Sequence, residues 1–248
     1  MTIDSLFGIQ LEKGAIKNSR SLFKFGSNPD VGTSEETIWD QGGLYSYLAS
    51  ASVIKVSSSN SNDTSSGTGA RTVILYGLDA DYNEISETIT LNGQTEVNTT
   101  LSYLRVYRCQ VTSAGSSGTA AGDIYFGTGN VTSGVPANIY AKIIIGENQT
   151  LMGIYTVPSG HTGYIFSGTM CSGTETANKY ITSKLKVRPF GQVFQTRALV
   201  TINSGFVPFD FGVAPTILEK SDIEARGFTS SGTAQISATF SIVLVKND

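Results

Sequence analysis

The 248-residue sequence has few of the residues on which most enzymes and metalloproteins rely. It contains one histidine, two cysteines and one tryptophan. Zinc sites built on two or three histidines are therefore excluded, and His161 alone gives little basis for a Cys–His or Ser–His nucleophile pair. Cys109 and Cys171 allow one disulfide at most, and we expect two free thiols instead. We predict no cofactor and no metal site.

Charge is also scarce. Asp, Glu, Lys and Arg make up 15% of the residues and the formal net charge is −3, whereas an average soluble chain has about 25% charged residues. Long solvated helices are disfavoured by this composition, and the lack of a basic tract predicts no nucleic-acid partner. No apolar run is long enough to span a membrane, and the N-terminus does not resemble a signal peptide, so we expect no membrane contact and a protein that is made and folded in a cytoplasm.

The residues that are abundant favour β structure. There are 30 Ser, 28 Thr and 27 Gly, while hydrophobic residues still reach 40%. Two β-prone runs, 71–79 and 84–93, flank an Asp/Asn-rich turn and predict a hairpin. Residues 179–190 alternate, with Ile181, Leu185 and Val187 on one face. About 12–15 short strands and no long helix predict an all-β protein with two antiparallel β-sandwich, jelly-roll-like domains.

The predicted organisation has three parts. Residues 1–48 form an irregular N-terminal arm, 49–146 a first β-sandwich domain, and 147–248 a second, jelly-roll-like one. The arm is too apolar for a free tail, so we expect it to be docked on its own sandwich or on a neighbouring subunit. Two Gly/Ser-rich segments, 57–69 and 113–122, are predicted to be long loops, and the first should be the more mobile.

Motifs for chemistry are weak throughout. The segment 79–84 resembles the start of a calcium loop, but Glu84 and Thr90 stand where Gly and Glu are required. The run GTGART (67–72) lacks the third glycine of a dinucleotide fingerprint and precedes a strand. The acidic groups of 84–87 and 219–224 lie in strand-like runs rather than around a cleft. We therefore predict that the protein is not an enzyme.

Several phrases resemble those of tailed-bacteriophage virion proteins. They include FGSNPD (25–30), ETIWDQGG (36–43), NEISETITLNG (83–93), IYTVPSGHTGY (154–164) and EKSDIEAR (219–226). The resemblance covers most of residues 25–226 and contains no catalytic signature. It implies a structural, non-enzymatic component of the virion that is assembled in the host cytoplasm.

Three functions stay open at this point. The first is a capsid decoration or cement protein that binds the assembled shell, and the second is a neck, tail or fibre component. The third is a glycan-binding module for host recognition, for which the candidate residues are Tyr45, Tyr47 and Tyr82. The predicted partners are other copies of the chain, with a trimer favoured, and the major capsid protein or other virion proteins. Candidate docking residues are aromatic ones in the arm and basic ones on one strand: Phe7, Phe23, Phe25, Trp39, Lys184, Lys186 and Arg188.

Overall fold

The computed structural model describes residues 3–173 and 179–248, with side chains described from Phe7 onward. The chain is almost entirely β, as predicted, and its sheets are antiparallel. The described elements, in chain order, are α1 (Ile3–Glu12), β1 (Ser19–Val31), β2 (Glu36–Thr37), β3 (Ser52–Ser58), β4 (Ala70–Leu78), β5 (Glu84–Thr90), β6 (Val97–Tyr103), β7 (Arg105–Ala114), β8 (Ile124–Thr132), β9 (Val135–Ile143), β10 (Ile154–Thr156), β11 (His161–Ser172), β12 (Ile181–Arg188), β13 (Gln195–Ile202), β14 (Gly205–Asp210), β15 (Thr216–Ile217), β16 (Asp222–Thr229) and β17 (Ala234–Lys246).

The chain divides into two compact units. Unit 1 comprises Met1–Phe25, Asp30–Ile38 and Gly153–Asp248, and unit 2 comprises Gly26–Pro29 and Trp39–Met152. Unit 2 is thus inserted in the sequence of unit 1. The domain ranges 1–48, 49–146 and 147–248 stay predictions.

The N-terminal segment is more regular than the sequence analysis expected, since it contains α1 and β1. Phe7 and Leu11 are four residues apart and share a helix face. Gly14 ends the helix with a positive φ of 68°, and its N–H bonds to the carbonyl of Leu11, as in other glycine-terminated helices. Gly8 interrupts the helical pattern in the sequence, which explains why the helix is hard to predict.

Unit 1 has jelly-roll topology. Sheet I has the strand order β1-β17-β11-β14, with β15 also paired to β11. Sheet II has the order β10-β16-β12-β13, with β2 also paired to β16. The eight main strands pair in a nested way: β1 with β17, β10 with β16, β11 with β14, and β12 with β13. This is the arrangement of an eight-stranded jelly roll. Its first strand comes from the N-terminal segment, and unit 2 is inserted between its first and second strands.

The apolar core of unit 1 lies between the two sheets. Alternate residues of β12 are buried, beginning with Ile181, and β17 alternates in the same way over most of its length. A Cβ atom added to Gly227 of β16 would lie 2.8 Å from Cδ1 of Ile236 in β17, which shows how closely the sheets approach there. Alternation with one buried face is expected of antiparallel strands in a sandwich.

Unit 2 contains a four-stranded sheet, β6-β3-β8-β9, and a three-stranded sheet, β5-β4-β7. The predicted hairpin is confirmed, since β4 and β5 pair from Thr72↔Thr90 to Leu78↔Glu84. Its turn is held by Asp79, whose Oδ1 accepts hydrogen bonds of 2.9 Å from the N–H groups of Asp81 and Asn83. The sequence favoured such a turn over a calcium loop, and the structure contains the Asx-type turn.

Asp63 joins the two Gly/Ser-rich segments of unit 2. Its side chain is fully buried and accepts four hydrogen bonds. Oδ1 accepts from the N–H groups of Ala70 at 2.7 Å and Ala121 at 2.8 Å. Oδ2 accepts from the Ser58 hydroxyl at 2.6 Å and from Gly122 N–H at 2.9 Å. The segment 57–69, expected to be the more mobile loop, is therefore tied to 113–122 by a buried carboxylate.

Candidate interaction surfaces

The predicted aromatic docking residues have different environments. Phe7 of α1 packs on Phe166 of β11, with ring centroids 5.9 Å apart, so the helix lies on sheet I of its own unit. Phe23 is 53% exposed and its ring centroid is 6.0 Å from that of the half-buried Phe25. Trp39 is only 3% exposed, and its Nε1–H donates to the Gly43 carbonyl at 3.2 Å. Trp39 is thus a core residue of unit 2 and offers no surface for docking.

The predicted basic face lies on β12, and its three cations are held by acids of the same unit. Glu35 accepts from Lys184 Nζ at 2.8 Å and from Lys186 Nζ at 3.0 Å. Arg188 Nη2 lies 2.6 Å from Oδ2 of Asp222. These contacts reduce the positive charge available to an acidic partner, and the role of this face in docking stays a prediction.

The carboxylate of Glu35 is the centre of this charged cluster. It also accepts from Arg226 at 3.2 Å, so three cations surround it. Burial raises the pKa of Glu35, but the hydrogen bonds from Lys184, Lys186 and Arg226 outweigh burial and hold the pKa at about 2. The ring of Phe194 covers part of the cluster, with the Arg226 guanidinium 4.3 Å from its centroid. The cluster is therefore an internally paired feature of sheet II.

The acidic residues that were considered as catalytic pairs all accept hydrogen bonds from backbone or side-chain donors. Glu87 accepts from the N–H groups of Thr100 and Leu101. Glu224 is fully buried and accepts from Thr37 at 2.9 Å and from Arg226 at 2.7 Å. Such engagement suits structural roles, since a general acid or base must face a substrate.

The thiols, the potential metal ligands and the helix are also candidates for a functional role. Cys109 and Cys171 are both free thiols, as the sequence analysis expected. Over residues 3–173 and 179–248, no group of three or more His, Cys, Asp or Glu side chains could hold a metal ion. No helix within these ranges is long and apolar enough to cross a membrane.

The tyrosines proposed for glycan binding belong to an aromatic cluster in unit 2. Tyr45 and Tyr82 are buried, and Tyr45 packs edge-on against both Trp39 and Tyr47, with ring centroids 4.9 Å apart in each pair. The Arg105 guanidinium lies 4.7 Å from the Tyr47 ring centroid and 5.5 Å from that of Tyr82. A sugar needs an exposed ring face, so this packing lends the glycan hypothesis little support.

A surface that the sequence analysis missed lies at one edge of the jelly roll. We call it the β13–β14 edge and define it as residues 189–218. Only two of these residues, Arg197 and Asp210, are charged. Six large apolar side chains in it are 59% to 89% exposed, namely Phe190, Val193, Leu199, Phe206, Val213 and Leu218. The low charge of this stretch was visible in the sequence, but its exposure was not.

The topology explains why this surface is open. β13 ends the path of sheet II and β14 ends the path of sheet I, so both are edge strands. A two-residue turn, 203–204, joins them, so they lie at the same side of the jelly roll. Alternate side chains that face inward on these strands, such as Val200 and Val207, are only half-buried. The core of unit 1 is therefore incompletely covered at this edge.

Comparisons with known proteins add little. No family model matches the sequence, and no curated protein matches it. The chain is similar to the crystal structure of an infectious bursal disease virus VP2 subviral particle, with 10% identity over 93% of this chain and 77% of that chain and a TM-score of 0.23. For the Gx strain of that virus the identity is 11%, over 92% of this chain and 72% of that chain, with a TM-score of 0.25. Likenesses with such low TM-scores carry no argument about this chain.

Proposed function

We propose that this chain is a non-enzymatic structural component of a bacteriophage virion, specifically a capsid decoration or cement protein that binds the assembled shell. The observation that carries the structural, non-enzymatic part of the proposal is the β13–β14 edge. A monomeric protein rarely exposes an apolar patch larger than a few hundred Å², and larger patches mark protein-binding sites. An exposed edge of this composition favours a subunit of a protein assembly over an enzyme that acts alone.

The fold and the charged residues support the same proposal. Jelly rolls are used by viral capsid and lectin domains, which is an analogy at the level of fold only. The carboxylates that were considered as catalytic pairs, such as Glu87, Asp222 and Glu224, accept hydrogen bonds from backbone or side-chain donors of the same chain. Carboxylates that are occupied by structural hydrogen bonds suit a protein that works by packing.

The shell contact is proposed to involve the N-terminal segment, in which Phe23 is exposed and Phe7 partly so. Deleting residues 1–40 would not test this idea, because it would also remove β1, the strand that pairs with β17 in sheet I. A variant that lacks residues 1–14 removes α1 and leaves β1 in place. Phe23→Ser tests the exposed ring separately, and Ile145→Ser, at an exposed apolar residue of unit 2, serves as the matched control.

The decisive experiment mixes the purified protein with shells of its parent phage that were assembled without it. Mass photometry and light scattering then report whether the protein coats the shells in many copies. Saturable coating is the expected result, weakened by Phe23→Ser and unchanged by Ile145→Ser. A protein that leaves the shells bare and instead binds purified necks or tails would overturn the decoration role in favour of the neck or tail alternative.

A further inference from the structure

The β13–β14 edge is large enough for a stable protein contact. Its exposed apolar side chains each present roughly 100 Å², which is less than the roughly 150–250 Å² that an aromatic side chain buries when fully covered, because four of the six are Val or Leu. Six such side chains present about 600 Å², or about three quarters of the roughly 800 Å² per partner of a standard protein–protein interface. The half-buried inward residues of both strands would add to this area when a partner closes the edge.

The two charges of this surface have opposite signs and matched positions. Arg197 lies five residues before Ile202, where β13 ends, and Asp210 lies five residues after Gly205, where β14 begins. At about 3.3 Å per residue, both lie roughly 17 Å from the turn. Both side chains are exposed, and within the described residues neither one forms an ion pair.

The two residues lie in different sheets, Arg197 in sheet II and Asp210 in sheet I, and this difference distinguishes between two possible two-fold arrangements. A two-fold axis parallel to the strands would join sheet II of one copy to sheet I of the other. Arg197 would then face Asp210 of the second copy, and the contact would occur twice. A two-fold axis along the sheet normal would instead join like sheets and leave both charges without a partner of opposite sign.

We propose that the β13–β14 edge binds the same edge of a second copy of this chain, through a two-fold contact in which Arg197 faces the second copy's Asp210. The exposed apolar side chains supply the buried area, and the charges fix the relative orientation. The inference rests on the proposed role as an assembly subunit, whose partner at this edge it names. It predicts a dimer, where the sequence analysis favoured a trimer.

The test is a charge-swap cycle measured by light scattering over a concentration series. The wild type should form a dimer. Arg197→Glu and Asp210→Arg should each weaken dimerisation at least tenfold, because each places like charges opposite one another. The double variant should recover to within about threefold of the wild type, because the swapped pair is again attractive. Only contact between two copies predicts this recovery.

Two further variants probe the apolar part of the surface. Leu199→Ser and Phe206→Ser should each weaken dimerisation, and Ile145→Ser, in unit 2, should not. Circular dichroism and thermal melting check that every variant is folded. A wild type that is monomeric or trimeric at all concentrations overturns the inference, as does a double variant as weak as the single ones.

Shell binding separates this inference from the proposed function. A protein that dimerises through this edge but leaves phage shells bare would contradict the decoration role and leave the dimer contact standing. A monomer that coats shells would contradict the dimer contact and leave the decoration role standing. Both measurements use the purified full chain and its variants, and the second also uses the phage shells that were assembled without the protein.

Discussion

Replacing Asp63 by Asn tests whether a single buried carboxylate organises the loops of unit 2. Asn has nearly the same shape, so no cavity is created. The substitution removes the charge and turns one of the two acceptor oxygens into an NH₂ donor. The four donors that now converge on the carboxylate come from Ser58, Ala70, Ala121 and Gly122.

The geometry sets the size of the effect. With its NH₂ in place of Oδ1, Asn would oppose two backbone N–H groups, those of Ala70 and Ala121. With its NH₂ in place of Oδ2, it would oppose one N–H, that of Gly122, because the Ser58 hydroxyl can rotate to accept. The second orientation leaves one orphaned N–H, which costs about 1–3 kcal/mol, and turns the remaining charge-assisted bonds into weaker neutral ones. Relief from burying a charge offsets part of this loss, so we expect a net cost of about 2–4 kcal/mol.

The assay can be made specific to unit 2. Trp39 is the only tryptophan of the chain and lies in this unit, so its fluorescence during urea unfolding reports the stability of unit 2. The matched control is Asp79→Asn in the β4–β5 turn, where the Oδ1 acceptor of the Asx turn is kept and the residue is only half-buried. The control should lose less than about 1 kcal/mol. If Asp63→Asn costs no more than Asp79→Asn, the carboxylate does not organise these loops.

Three further predictions concern pH and packing. Burial raises the pKa of Asp40 from 3.8 to about 7. Between these pH values folded unit 2 keeps a proton that the unfolded chain has lost, so the stability of unit 2 falls as pH rises from about 4 to 7. Asp40→Asn should therefore reduce the difference in unfolding free energy between pH 4 and pH 8 by about 2–4 kcal/mol. The pKa of Glu35 is lowered from 4.5 to about 2, so the stability that its carboxylate contributes to unit 1 is present above pH 4.5 and is lost as pH falls toward 2. Glu35→Gln should destabilise unit 1 by about 1–3 kcal/mol at pH 7 and by less at pH 2, as measured by circular dichroism during unfolding. Gly168→Ala would place a Cβ atom 2.5 Å from the Thr239 carbonyl oxygen and should cost about 2–3 kcal/mol in urea unfolding, whereas Gly212→Ala, which has open space around it, should be nearly neutral.

Local patterns predicted the local structure well. The alternation in β12 follows from a two-residue period, and the β4–β5 hairpin follows from turn chemistry at Asp79, so both were visible in a few consecutive residues. The pairing of β1 with β17 joins the two ends of the chain, and no short-range signal indicates it. The first jelly-roll strand was therefore assigned to an irregular arm.

The interaction surfaces were harder to predict for the same reason. The basic residues of β12 were correctly placed on one face, but Glu35, which pairs with Lys184, is 149 residues away in the sequence. Trp39 was grouped with the arm because of its position, although its contacts with Tyr45 and Gly43 bury it. Exposure of the β13–β14 edge depends on which strands end each sheet, and that order is set by the whole fold.

The edge strands of unit 1 differ in how well they are protected against pairing with another chain. Proteins blunt such edges with short strands, prolines, charges or bulges. β10 has only three residues, β1 contains Pro29 and two basic residues, and β14 contains Pro208. β13 has eight residues, no proline and one charge, Arg197, at the irregularity in its pairing with β12. β13 is thus the edge strand that is neither very short nor interrupted by a proline, and Arg197 is its one protective feature. It lies in the most exposed apolar part of the unit, as expected of a surface that a second copy covers.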